Sequence, residues 1–388
     1  MGDQASRLKV ASRANVPPFH VMDLLAAASA RQHSHGDLMN LVAGQPSTGA
    51  PRAVKDEAKR LLEEDLLGYT VATGVLPLRE AIAEHHRQTS GIDVDASYVV
   101  VTTGSSGGFL LAFLSAFEAG DRVVMANPGY PCYRNVLRAL GCEVVEIQCT
   151  AETRFQPTLA QLQALTGPIN GVLIASPANP TGTMIAPDEL ARIAAWCTEN
   201  GVRLISDEIY HGISYGPSTS SSWETSRSGI VFGSFSKYFC MTGWRLGWML
   251  VPEDLRRAVD VLTGNFTICP PALSQYAAIA AFTPQARAEL DGHVDRYAAN
   301  RALLLDGLNR LGLTRLAPAD GAFYVYADIG ELTTDSYAWC QRLLADTGVA
   351  IAPGIDFDTV RGNEFIRMSF AGTRAEIETG LERLGAWL

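Results

Sequence analysis

The 388-residue chain is 47% hydrophobic and 19% charged, enough apolar material to bury a large core, in two domains or one large domain with an appendage, and too much for a disordered chain. Its formal net charge of −10 argues against nucleic acid as a partner of the general surface and favours small-molecule chemistry. Seven scattered cysteines without a Cys-x-x-Cys pair, no signal-peptide pattern and no apolar run of bilayer length lead us to expect reduced thiols, no metal, no membrane contact and a cytoplasmic location.

In chain order, the segment up to about Leu41 shows no strand pattern and is expected to pack on a smaller domain. Short apolar runs then follow at 99–103, 122–126, 143–147, 172–176, 202–206, 230–234 and 246–251, separated by amphipathic segments. Near-continuous Val/Ile/Leu runs fit strands buried on both faces, and the intervals are long enough for crossover helices. The fold class is therefore α/β, with a mainly parallel seven-stranded sheet sandwiched by helices. One such helix shows both boundaries: Pro187 opens it, Leu190, Ile193, Ala194 and Cys197 share a face, and Gly201 stands where a left-handed residue ends it. After about residue 281 the pattern changes to a long helix at 285–311 and strands at 323–327 and 365–370. Residues 42–282 are read as a large domain, and 1–41 together with 283–388 as a smaller α+β domain.

Open α/β sheets bind ligands beyond the carboxyl ends of their strands, so the residues just after each run carry the information. Gly104, Ser105 and Ser106 open a small-residue loop that leads into a helix, whose free N–H groups suit a phosphate. Pro177-Ala178-Asn179-Pro180-Thr181-Gly182 fixes the backbone around one asparagine. Asp207 and Tyr210 place an acid and a phenol at the mouth of the sheet. Ser234 and Ser236 flank Lys237, an amine able to form a Schiff base, with Arg245 eight positions on. Each motif alone has a bland reading as a turn, a helix start or core. Their recurrence after successive strands of one sheet points to a single site.

With these motifs the chain resembles the fold-type I pyridoxal phosphate enzymes, specifically the class I/II aminotransferases of the aspartate aminotransferase superfamily, over nearly its whole length. The resemblance implies pyridoxal 5'-phosphate as cofactor, held through Lys237, which then shuttles a proton during catalysis. It implies Asp207 on the ring nitrogen and Tyr210 and Asn179 on the phenolic oxygen. For the phosphate it implies Gly104, Ser105, Ser106, Ser234, Ser236 and Arg245, with Tyr130 stacked on the ring. Gly44, Asn179 and Arg367 match the residues that bind the substrate, Gly44 and Arg367 at its α-carboxylate, and Tyr69 matches a tyrosine that reaches the other subunit of a homodimer.

Relatives specific for dicarboxylates carry a second cation, often an arginine before an Asn-aromatic-Ser/Thr stretch. Here Leu262-Thr263-Gly264 precede Asn265-Phe266-Thr267, and Ser106 stands where some relatives have lysine. A buried charge without a partner is costly, so the expected donor is an L-amino acid with an uncharged side chain, such as alanine, valine or an aromatic one, working with a 2-oxo acid. The alternatives are a carbon–sulfur β-lyase on the same fold and an aspartate aminotransferase. A DNA-binding regulator is disfavoured because only about forty residues precede Gly44, without a basic recognition helix.

Overall fold

A computed structural model describes residues 8–64 and 66–388. Residues 1–7 of the expected N-terminal segment lie outside the described residues. Among the described residues twelve strands fall, in chain order, at Met39–Asn40 (β1), Val99–Thr102 (β2), Arg122–Asn127 (β3), Glu143–Gln148 (β4), Gly171–Ala175 (β5), Arg203–Asp207 (β6), Ile230–Ser234 (β7), Gly247–Leu250 (β8), Tyr324–Asp328 (β9), Val349–Ala350 (β10), Ala352–Pro353 (β11) and Phe365–Ser369 (β12). Seven of them form one sheet in the order β2-β8-β7-β6-β5-β3-β4, in which β8 alone runs opposite to the other six. β2, β7 and β8 are buried at every residue, as strands covered on both faces must be, while the edge strand β4 is partly open.

Helices fill the two faces for reasons visible in their ends. Pro187–Glu199 starts with proline at its first turn, followed by Asp188 and Glu189 near the positive end of its dipole, and Gly201 just beyond it has φ +65°. Its buried Leu190, Ile193, Ala194 and Cys197 pack against residues of β5 and β6.

The second core is built on an antiparallel sheet in the order β11-β12-β9, with β1 and β10 paired in parallel beside it. The strand at Met39–Asn40 corrects the expectation that the N-terminal segment has none. Two residues are too few to give a sequence period, and they are strand only because Val349 and Ala350 lie alongside. Helix His20–His35 packs Val21, Leu24 and Ala28 into this core. Two of its free N-terminal N–H groups are satisfied by one buried carboxylate: Asp356 accepts from His20 at 2.9 Å and Val21 at 2.7 Å. The long helix Pro284–Arg310 places Leu290 among the residues around β2 and β8, and Tyr297, Leu304 and Leu308 in the second core.

Two local boundaries differ from expectation in a way that matters for function. Asp207 is the last residue of β6, not the first beyond it, because it still pairs with Ala175 and Phe232. The Gly104 segment is not a loop ahead of a helix but the first turn of helix Gly104–Ala116 itself.

Candidate active site

The ends of β5, β6 and β7, the first turn of helix Gly104–Ala116, and the face of β9 and β12 enclose a cavity of about 240 Å³. Of the residues singled out from sequence, it brings together Gly44, Ser105, Ser106, Tyr130, Asn179, Asp207, Tyr210, Ser236, Lys237, Arg245 and Arg367. Gly104, Ser234 and Tyr69 do not line it. Ser234 is buried and accepts a hydrogen bond from the Ser236 N–H, whereas Tyr69 is 85% exposed.

Lys237 follows β7 and turns back over the Tyr210 ring, with Nζ 5.3 Å from the ring centroid and donating to the Gly44 carbonyl at 2.6 Å. Burial, with the positive charges of Arg367 and Arg245, pushes this amine down to about 8, against the pull of Asp207. A lysine so tuned is substantially neutral, and nucleophilic, at mildly alkaline pH.

Asp207 is pushed up to about 6 by burial. The Tyr133 hydroxyl, which donates a short hydrogen bond to its Oδ2, and the Ile209 N–H, at 3.1 Å from Oδ1, hold it below where burial alone would leave it. It remains largely an anion at neutral pH although it is almost fully buried.

Arg367 lies mid-strand in β12 and is 2% exposed. One terminal nitrogen donates to Asn179 Oδ1 at 3.0 Å and the other to the Val42 carbonyl at 2.7 Å. The guanidinium is held between the rings of Tyr324 and Phe357, 4.5 and 4.9 Å from their centroids. Gly44 faces this fork closely: a Cβ there would stand 3.8 Å from both terminal nitrogens and 2.9 Å from the Tyr324 hydroxyl.

Arg245 has φ +51° and donates to the Thr242 carbonyl at 2.9 Å. Its guanidinium lies against Gly104, where φ is +66° and any Cβ would collide with it. Glycine is thus required twice at the start of this helix, by backbone angle and by space. The result is a helix N-terminus, two serines and a cation around one point, a arrangement suited to a dianion.

Three contributions escaped the sequence reading. Tyr133, three residues after Tyr130, reaches Asp207. Tyr324 bonds the Tyr210 hydroxyl at 2.8 Å. Helix His20–His35 and the residue before it supply Phe19, Val21, Met22 and Leu25 as an apolar wall. For Tyr133 the i, i+3 spacing from Tyr130 was an available signal. A tyrosine at a strand start, by contrast, reads as core.

Residues 36–384 match the family described as aminotransferase class I and II. The chain is 64% identical to valine–pyruvate aminotransferase of Mycobacterium tuberculosis over 382 residues, 98% of each chain. It is 32% identical to aspartate/prephenate aminotransferase of Thermus thermophilus over 351 residues, 89% of this chain and 90% of that one. The chain belongs to the class I and II aminotransferases. Solved structures of this family share its whole course. A crystal structure of an aminotransferase from Mycobacterium tuberculosis superimposes with TM-score 0.97 at 63% identity, covering 98% of this chain and 99% of that one. Aspartate aminotransferase of Thermus thermophilus with maleate gives 0.93 at 30% identity, covering 98% and 100%. The protein is accordingly an enzyme of the pyridoxal phosphate-dependent transaminases. Among the described residues, no helix is long and apolar enough to cross a membrane.

Proposed function

We propose that the cavity holds pyridoxal 5'-phosphate through the residues assembled there, and that the enzyme moves amino groups between an uncharged L-amino acid, valine or alanine first, and a small 2-oxo acid such as pyruvate. The donor set fits the cofactor. A phosphate dianion finds the Gly104 helix start, Ser105, Ser106, Ser236 and Arg245, with Ser234 holding Ser236 from behind. A ring nitrogen finds the buried Asp207, whose charge favours its protonated form. Tyr130 offers its ring for stacking, and Tyr210 and Asn179 offer neutral polar groups for the phenolic oxygen. When bound, the cofactor supplies an aldehyde for the amino group and a ring that takes up the electron pair left at the substrate Cα.

The chain's own groups do the rest. Lys237 would hold the cofactor, and its Nζ, its basicity lowered by burial, could take a proton from the substrate Cα and give it back. Arg367, its fork fixed by Asn179 and Val42, presents planar donors to the α-carboxylate, with Gly44 leaving room for it. The apolar wall limits water around the reacting atoms.

One observation carries the substrate assignment. Among the described residues of this chain, the cations lining the cavity are Lys237, Arg245 and Arg367, each with a task in this scheme, and the stretch Leu262-Thr263-Gly264 before Asn265-Phe266-Thr267, on the surface proposed to face the partner, holds no arginine for a second carboxylate. A side-chain carboxylate would instead meet Phe19, Val21, Met22 and Leu25. The name of the Mycobacterium tuberculosis relative, valine–pyruvate aminotransferase, agrees with this reading. Steady-state rates with alanine, valine, phenylalanine and aspartate as donors test it. Valine or alanine with pyruvate should give the highest kcat/KM, and aspartate turned over faster than either would contradict it.

A homodimer belongs to the same proposal. Leu66, Tyr69, Val71, Phe266 and Ile268 are all more than half exposed. They form one surface, since Ala72 packs beside Gly264 and Thr70 is bonded by Gln275. Tyr69 sits on this apolar surface, as a residue reaching a partner's phosphate site must. The cytoplasm fits the seven free cysteines, five of them buried.

A further inference from the structure

Several residues given roles above converge on a side chain that none of those roles uses. Tyr324, the first residue of β9, is fully buried and lines the cavity. Its hydroxyl lies 2.8 Å from that of Tyr210. Its ring carries the Arg367 guanidinium at 4.5 Å, Tyr324 and Arg367 standing as diagonal neighbours on one face of the paired strands β9 and β12. Gly44, whose carbonyl accepts the Lys237 hydrogen bond, approaches the same hydroxyl so closely that a Cβ would stand 2.9 Å from it. Packing alone asks for none of this, because phenylalanine fills the same volume without a buried hydroxyl to satisfy.

We infer that Tyr324 is a positioning residue that couples the carboxylate clamp to the reactive lysine. The inference rests on the proposed role of Tyr210 toward the cofactor's phenolic oxygen. A phenol has one proton to donate. With the Tyr210 proton directed at that oxygen, the bond between the two tyrosines has a fixed direction, Tyr324 donating and Tyr210 accepting. Receiving a hydrogen bond makes Tyr210 the stronger donor, since linked hydrogen bonds polarise one another in a low-dielectric interior. A stronger donor there keeps the Lys237 nitrogen, once linked to the cofactor, unprotonated at neutral pH.

Arg367 sets the strength of this chain from the far side. A cation over the phenol ring draws its electrons and makes Tyr324 the better donor. A substrate carboxylate at Arg367 offsets that charge, weakens the donation from Tyr324 to Tyr210, and raises the basicity of the lysine nitrogen. The substrate ammonium then loses its proton, an N–H bond breaking on the substrate as one forms on the lysine nitrogen, and becomes the nucleophile. Carboxylate binding and amine activation are joined through one tyrosine.

The test titrates the visible absorption of the holoenzyme across neutral and alkaline pH, with and without 3-methylbutanoate, which has the carbon skeleton and carboxylate of valine but no amine. In the parent enzyme this analogue should raise the apparent pKa. In Tyr324→Phe the pKa without analogue should be higher by about half a pH unit, and the analogue-induced rise smaller than in the parent. Tyr324→Phe should lower kcat with KM retained, because the ring still carries Arg367, whereas Tyr324→Leu should raise KM as well. Tyr324→Phe titrating like the parent in both conditions would overturn the role of Tyr324 and leave the cofactor assignment standing. A parent enzyme whose visible band is unaffected by Lys237→Ala would overturn that assignment, and this inference with it.

Discussion

The two sheets reach the cavity in different ways. The seven-stranded sheet contributes through its strand ends and the turns beyond them: Asn179 after β5, Asp207 at the tip of β6, Lys237 after β7 and Arg245 before β8. The three-stranded sheet contributes from strand faces, with Arg367 in the middle of β12 and Tyr324 on β9 beside it. Turns offer free N–H groups and varied directions, which suit a phosphate, a ring nitrogen and an aldehyde arriving from one side. A paired strand offers fixed side-chain spacing, which suits a planar fork that must meet two oxygens at one angle. In this account the first sheet serves the cofactor and the second serves the substrate. Their separation sets the distance from clamp to lysine.

That division can be broken most sharply from the large sheet. Lys237→Ala should lower transamination at least about 1,000-fold and abolish the visible absorption, while circular dichroism shows the fold retained. Arg367→Leu should act on binding: KM for the amino donor should rise about 100-fold with a smaller change in kcat. The same change removes a positive charge that depresses Lys237, so in the apo-protein the pH at which this amine becomes reactive toward aldehydes should move upward from about 8. An unchanged KM would deny the second sheet its substrate role.

Tyr133→Phe should lower kcat about tenfold, the worth of one hydrogen bond to a charged group, and shift protonation of Asp207 in the apo-protein above about 6. Isotope-edited infrared titration of the carboxylate reads that shift directly. A smaller effect, on stability and not on chemistry, comes from His86, which is buried beside Trp248 and accepts from its indole N–H at 3.0 Å. Burial pushes this imidazole down to about 3, so the folded protein holds it neutral while the unfolded chain takes up a proton near pH 6.5. Its contribution is complete above pH 6.5 and is lost progressively as pH falls toward 3. His86→Asn should therefore show a flatter fall in Tm between pH 6.5 and 4 than the parent protein.

Much of the large sheet and its site was legible because strand runs and small polar motifs are local. The residues Asn179, Asp207, Lys237 and Arg245 each announce themselves within a few positions of a strand end. Asp207 was misplaced by one residue only because pairing with Ala175 and Phe232 extends the strand, and a neighbour's register is not local information. The same limit hid β1, which exists through residues some 310 positions away. Tyr324 was invisible for another reason. Its pattern is that of any buried aromatic on a strand, and only the approach of Tyr210, Arg367 and Gly44 gives its hydroxyl a task. The apolar wall of helix His20–His35 likewise depends on where Asp356 anchors that helix.

The central claim is that the cofactor is carried by Lys237 at the junction of the two sheets. The chain has four lysines, and Lys9, Lys55 and Lys59 are exposed and do not line the cavity. Borohydride reduction of the protein loaded with pyridoxal phosphate, followed by proteolysis and mass spectrometry, reads the attachment point directly. The account predicts a pyridoxyl-phosphate adduct on the peptide containing Lys237, at one per chain. An adduct confined to Lys9, Lys55 or Lys59, or none at all, would contradict it.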